Sequence, residues 1–266
     1  MKKYLSYIFL AVLAYLLYIN EDSKYIVAGV GIFIIGMHFM EDGFKLFSGG
    51  ILERIIAKST NTTSKSVFLG ITATAILQSS SLVSIIVISF LSAKIISLAG
   101  ALGVVFGSAV GTTATTWIVS TLGVKIDVAA FALPMIIFGV IFRFYEKKNI
   151  QGIGNILLGL GFVFLGIGYM KDGFEDLKEG IDLAQFSMDG YAGIIVYAII
   201  GMIATIIIQS SSATMALTIT ALITGQIIYI NAMAIAVGAN IGTATTAAMG
   251  AMVSNANSKR MAVGLF

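Results

Sequence analysis

The chain has 266 residues, of which 58% are hydrophobic and 11% charged, and its mean hydropathy is +0.99. Such a surface cannot be solvated as a soluble domain, so the composition points to an integral membrane protein built from apolar segments of ~20 residues. The lack of cysteine excludes disulfides, thiolate catalysis and cysteine-held metal, and the net charge of +3 falls in short clusters between apolar runs, which is a topology signal rather than a nucleic-acid-binding face.

Lys2 and Lys3 precede an apolar run over residues 4–19. The run is long for a signal peptide and no small-x-small cleavage site follows it, so residues 1–24 are expected to be an N-terminal transmembrane helix or signal anchor. Beyond it the chain repeats itself. Gly31–Lys45 reads GIFIIGMHFMEDGFK and Gly161–Glu175 reads GFVFLGIGYMKDGFE, an offset of 130. Gln78–Ser81 and Gln209–Ser212 both read QSSS, an offset of 131, and GSAVGTTATT from Gly107 matches GANIGTATTA from Gly238 at the same 131. Residues 25–148 and 149–266 therefore read as two copies of one unit.

The charges orient the copies. The first DGF segment, residues 41–66, is read as a loop with four Lys/Arg and three acids; its counterpart, residues 171–190, carries two lysines and six acids. With Arg143, Lys147 and Lys148 between the copies and Lys259 and Arg260 near the end, the positive-inside rule sets the first loop in the cytoplasm and the second outside. Equivalent loops on opposite sides mean inverted repeats. Residues 67–77 make about 16 Å of helix, half of a ~30 Å hydrocarbon core. Residues 67–93 thus read as a re-entrant hairpin turning at QSSS and ending near Lys94, residues 95–122 and 128–142 as crossings, and residues 191–224 as the matching hairpin. The fold class is an all-α polytopic membrane protein.

Four consecutive polar side chains cannot all find partners on one helix face in hydrocarbon, but a broken helix at the midplane can line a cavity with them. Half-helices beginning near Leu82 and Ala213 would aim positive N-termini at an oxyanion, while freed carbonyls and hydroxyls suit Na⁺. All acidic residues fall in the assigned loops or flanks, so the site is expected to be uncharged, built from Gln, Ser, Thr, Asn and backbone. Single serines in such helices commonly bond back to the i−4 carbonyl, and the GxxxGT blocks suit close packing. His38 has Gly168 as its counterpart, so the repeat does not require a proton relay there. Trp117 and the tyrosines near helix ends read as interface anchors.

On the paired QSSS blocks, the GANIGT at Gly238–Thr243 and the inverted halves, the chain resembles the type II sodium-dependent phosphate cotransporters, the bacterial branch above all, over residues 25–266. The resemblance implies Na⁺-coupled phosphate transport across the bacterial inner membrane, with no cofactor beyond Na⁺ as coupling ion. It implies a substrate and ion site at Gln78, Ser79, Ser80, Ser81, Gln209, Ser210, Ser211 and Ser212, with Thr112, Thr113, Asn240 and Thr243 in second rank. Na⁺ is expected near Gln78, Ser81, Gln209, Ser212 and Asn240. Ser108 and Ala109 depart from the family pattern, which has an asparagine in both halves, and this puts the ion stoichiometry in question. The last helix of the second copy stops short at Phe266, and a regulatory domain resembling PhoU is expected in the full-length protein. Partners are phosphate, Na⁺ and membrane lipid, with a homodimer as an open assembly and no nucleic acid. Export, another oxyanion such as sulfate or arsenate, and a membrane phosphate sensor are the alternative functions. An intramembrane serine hydrolase is disfavoured, because it needs a base beside the serine and neither QSSS lies in GxSxG, so no enzyme is expected.

Overall fold

Runs of Ile, Leu, Ala and Val with a single proline leave the backbone the helix as its way to satisfy N–H and C=O groups in hydrocarbon. The computed structural model describes residues 18, 21–48, 54–56, 60, 62–125, 128–180, 190–252 and 259–261, and among them it is helical with no strand. The principal helices are α1 (Glu21–Ser48), α2 (Thr63–Leu77), α3 (Ser80–Ser92), α4 (Leu98–Gly111), α5 (Thr113–Lys125), α6 (Val128–Arg143), α7 (Lys148–Gly180), α8 (Gly190–Ile208), α9 (Ser211–Ile223) and α10 (Tyr229–Met252). The expected N-terminal helix lies outside the described residues apart from Tyr18, as does most of the region after residue 252.

Ser23–Leu46, Leu98–Thr121, Lys148–Lys178 and Gly190–Ile208 are long and apolar enough to cross a membrane, which makes this a multi-pass membrane protein. Large apolar side chains such as Phe68, Ile85, Ile137, Ile195 and Ile207 stand exposed on the outside. In water they would form an oversized apolar patch; against lipid they are at home. Trp117 and Tyr191 are exposed too, as interface anchors would be.

Three expectations need correction. The DGF segments are not loops at their starts: residues 41–48 continue α1 and residues 171–180 continue α7. Their charges form i,i+4 pairs, Glu41 with Lys45 at 2.8 Å and Lys171 with Glu175 at 3.7 Å, and such pairs favour helix continuation. Second, α8 has 19 residues, enough to cross rather than reach halfway. Third, the helices after each QSSS start at Ser80 and Ser211, two residues ahead of Leu82 and Ala213, because a serine caps each of them.

Glycine sets the helix contacts. A Cβ on Gly29 would sit 2.6 Å from the Gly166 carbonyl oxygen, and one on Gly36 would sit 2.6 Å from that of Gly159. Further along, a Cβ on Gly43 would lie 2.7 Å from the Gly152 carbonyl oxygen. Numbers rise along α1 as they fall along α7, so the two helices pack antiparallel at backbone contact. Phe33, Met40, Phe164, Ile167 and Met170 fill the buried seam beside them. In the same way α2 lies on α4 through Gly70 and Gly107, and α8 lies on α10 through Gly201 and Gly238.

Lys94 and Gly225, 131 apart, both follow a helix in the left-handed conformation, at φ 58° and 76°. The N–H of the next residue reaches back to Phe90 in one case and Ala221 in the other, which closes a Schellman turn. Glycine is at ease there and lysine is not. Replacing Lys94 by glycine is expected to stabilise the protein by about 1 kcal/mol. A thermal melt in detergent would read this as a raised Tm; an unchanged or lowered Tm would show that the lysine side chain offsets the strain.

Candidate functional site

Each QSSS is a helix break made without glycine or proline. α2 ends at Leu77, and Gln78 caps it in the left-handed region at φ 56°, ψ 23°, its N–H donating to the Thr74 carbonyl at 2.7 Å. Ser79 is extended, and its Oγ accepts from the Leu82 N–H at 3.3 Å to cap α3. The second break has the same construction. Gln209 lies at φ 58° with its N–H on Thr205 at 2.8 Å, and Ser210 caps α9 by accepting from the Ala213 N–H at 3.2 Å. A glutamine in the left-handed region costs about 1–2 kcal/mol, so both halves hold strain at the same point.

The two breaks meet. One cavity of about 250 Å³ is lined by all eight residues of the QSSS pairs, together with Thr205, Ile208, Thr243 and four residues of α1: Ile34, Met37, His38 and Glu41. It has room for about eight waters, which suits a small ion rather than an organic cofactor. Ser80 and Ser81 open α3, and Ser211 and Ser212 open α9. The N-terminal N–H groups of a helix have no intrahelical acceptor, and each helix end carries about half a positive charge. Two such ends and four first-turn serines thus meet at one cavity, and its lining holds no lysine or arginine.

Not every predicted residue belongs to it. Thr112 donates to the Ser108 carbonyl at 3.0 Å and Thr113 to the Val110 carbonyl at 2.7 Å, and neither lines the cavity. Both fall where α4 passes into α5, and their hydroxyls serve that junction. Asn240 also stands outside it: its Nδ2 donates to the Ala236 carbonyl at 3.1 Å, and it lines a neighbouring, mainly apolar cavity of about 350 Å³ with Ser84, Ser108 and Ala109. Ser80 and Thr243 line both cavities.

Other residues were missed. The expectation of an uncharged site fails, because the continuation of α1 carries Glu41 into the lining, where its side chain is 18% exposed and pairs with Lys45. His38 stands one turn earlier on the same face. The helical spacing 34, 37, 38, 41 is the signal that could have found them. Thr115 braces the first break by donating to Gln78 Oε1 at 2.5 Å, while Gln78 Nε2 turns back to the Ala75 carbonyl. Thr205 and Thr214 join hydroxyls at 3.0 Å behind the second break. Their counterparts at 131 are Thr74 and Val83, and the Thr74 hydroxyl is buried without a partner among the described residues because valine cannot supply one.

The two breaks recur at matched positions of one multi-pass chain, and known proteins resemble that chain over most of its length. The family model described as Na+/Pi-cotransporter matches residues 32–172 and 185–265. The chain belongs to this family. It is 28% identical over 248 residues to the protein named "Putative inorganic phosphate export protein YjbB" of Escherichia coli (strain K12), covering 90% of this chain and 44% of that one. The Salmonella typhimurium protein of the same name gives the same identity and coverage. "Uncharacterized protein YqeW" of Bacillus subtilis is 30% identical over 233 residues, covering 86% of this chain and 73% of that one. The chain thus spans less than half the length of the YjbB relatives it matches. No solved structure matches it.

Proposed function

We propose that this chain forms the core of a Na⁺-coupled phosphate transporter of the bacterial inner membrane, which works by alternating access around the two QSSS turns. The observation that carries the reading is the meeting of all eight QSSS residues at one cavity, with the α3 and α9 N-termini facing it. Dipoles, N–H groups and hydroxyls bind a tetrahedral oxyanion without a fixed cation. Na⁺ entering with the anion offsets its charge and takes hydroxyl and carbonyl oxygens. Ser80 and Thr243 line both cavities, so an ion held there would touch the QSSS cavity and the Asn240 side together.

Two features support inverted halves exchanging access. α1 and α7, equivalent at the offset of 130, pack antiparallel, as equivalent helices of opposite topology must. The contacts of Gly70, Gly107 and Gly111 also recur at Gly201, Gly238 and Gly242, each 131 residues on. A second reading, export, is favoured by the name of the YjbB relatives.

The test is radiolabelled phosphate uptake into proteoliposomes holding the full-length protein, under an inward Na⁺ gradient and then an inward K⁺ gradient. Uptake that requires Na⁺ is the expected result. Transport of equal rate under both gradients would remove sodium coupling, and binding without transport would make the protein a sensor.

A further inference from the structure

We propose that Glu41 selects among oxyanions, accepting a hydrogen bond from one that still carries a proton, such as phosphate or arsenate, and turning away sulfate, which has none to give at neutral pH. The inference rests on the reading of the QSSS cavity as an oxyanion site. Every other polar side chain in the lining, apart from His38, is a hydroxyl or a glutamine, uncharged and with hydrogens of its own, although Thr205 and Thr243 give theirs to Thr214 and the Ala239 carbonyl. A carboxylate can only accept, and it repels a bare anion. Its presence there makes sense for a ligand that brings its own donor.

The placement of Glu41 sets it apart from an ordinary surface charge. Its side chain is 18% exposed, against 64% for its neighbour Asp42, although both reach the same Lys45. Lys45 sits 2.8 Å from Oε1, an ion pair that fixes the side chain in position, and a carboxylate has a second oxygen and further lone pairs. Helix packing alone does not call for an acid here. The position equivalent to Glu41 is Lys171, and that pair runs in the opposite order, lysine before glutamate. The carboxylate belongs to the α1 side alone, the side that contributes to the cavity.

The test is displacement of radiolabelled phosphate from the purified full-length protein by arsenate, sulfate and selenate at neutral pH with Na⁺ present. In the wild type, arsenate is expected to compete within about tenfold of phosphate, and sulfate and selenate at least about a hundredfold more weakly. Glu41→Gln supplies an amide that can donate to sulfate, so the gap is expected to close to within about tenfold. Sulfate competing within about tenfold in the wild type would overturn the inference without recourse to any variant. A folded Glu41→Gln protein that keeps the wild-type order would overturn it as well. So would one whose order is unchanged while its Na⁺ dependence shifts, since Glu41 would then be a cation ligand. If Glu41→Gln does not fold, Glu41→Asp takes its place: retained preference for phosphate supports the proposal, and loss of that preference sinks it. Absence of any phosphate binding by the folded wild type would instead defeat the oxyanion reading itself.

Discussion

Alanine at Ser211 or at Ser80 is expected to lower phosphate uptake about 10- to 150-fold, the loss of one hydrogen bond to a charged ligand at about 1.5–3 kcal/mol. Both serines are the first residues of their helices. The carbonyl four residues earlier belongs to the helix before the break, so the usual back-bond of a membrane serine is not open to them within their own helix. Both residues line the cavity instead. Removing both should reduce transport below detection while membrane insertion stays intact. Ser89 is the control: it is exposed and donates to the Ile85 carbonyl at 2.9 Å, so its alanine variant should transport within about twofold of wild type. Proteoliposome uptake normalised to inserted protein measures all three. Wild-type rates in well-inserted Ser80→Ala and Ser211→Ala would remove these serines from the site.

Much of this was legible in the sequence for a physical reason. Polar side chains cannot rest in hydrocarbon, so a run of four marks a break, and two such runs at one spacing mark two breaks that serve one purpose. The start and end of α6 and the ends of α2 and α3 followed from the same logic of apolar length, to within a residue or two at these bounds. The left-handed glutamines were not legible, because glutamine carries no preference for that region and tertiary contacts such as Thr115 to Gln78 hold it there. Glu41 was missed through a single assumption, that charges next to DGF end a helix. Glutamate and lysine four apart extend one, and the extra turn brings a carboxylate to the cavity. Asn240 misled for the opposite reason: its sequence position beside the GT pair is right, but on α10 it points to the neighbouring cavity, while Thr243, close to a full turn on, reaches both.

Gly238→Ala and Gly107→Ala are expected to be among the most damaging small changes in the protein, at about 3 kcal/mol or more each. A Cβ on Gly238 would collide with the Ala198 carbonyl oxygen and would also lie 2.7 Å from its carbon and 2.9 Å from the Met202 nitrogen. On Gly107 it would collide with the Val67 carbonyl oxygen and lie 3.0 Å from the Ile71 nitrogen. These neighbours are backbone, so no rotamer change relieves the clash; the helices must part, and every apolar contact along the seam loosens with them. The seam also bears on function, because α2 and α8 carry Gln78 and Gln209 at their ends, and pushing either helix outward separates the two breaks. Gly31→Ala and Gly168→Ala are the controls. Neither would meet anything within 4 Å, and alanine within a helix gains about 0.5–1 kcal/mol over glycine. Thermal unfolding in detergent, alongside the yield of monodisperse protein, should therefore separate the two pairs in opposite directions. A normal melt for Gly238→Ala would mean that α8 and α10 do not touch at the backbone, and the cavity built on their alignment would fall with that contact.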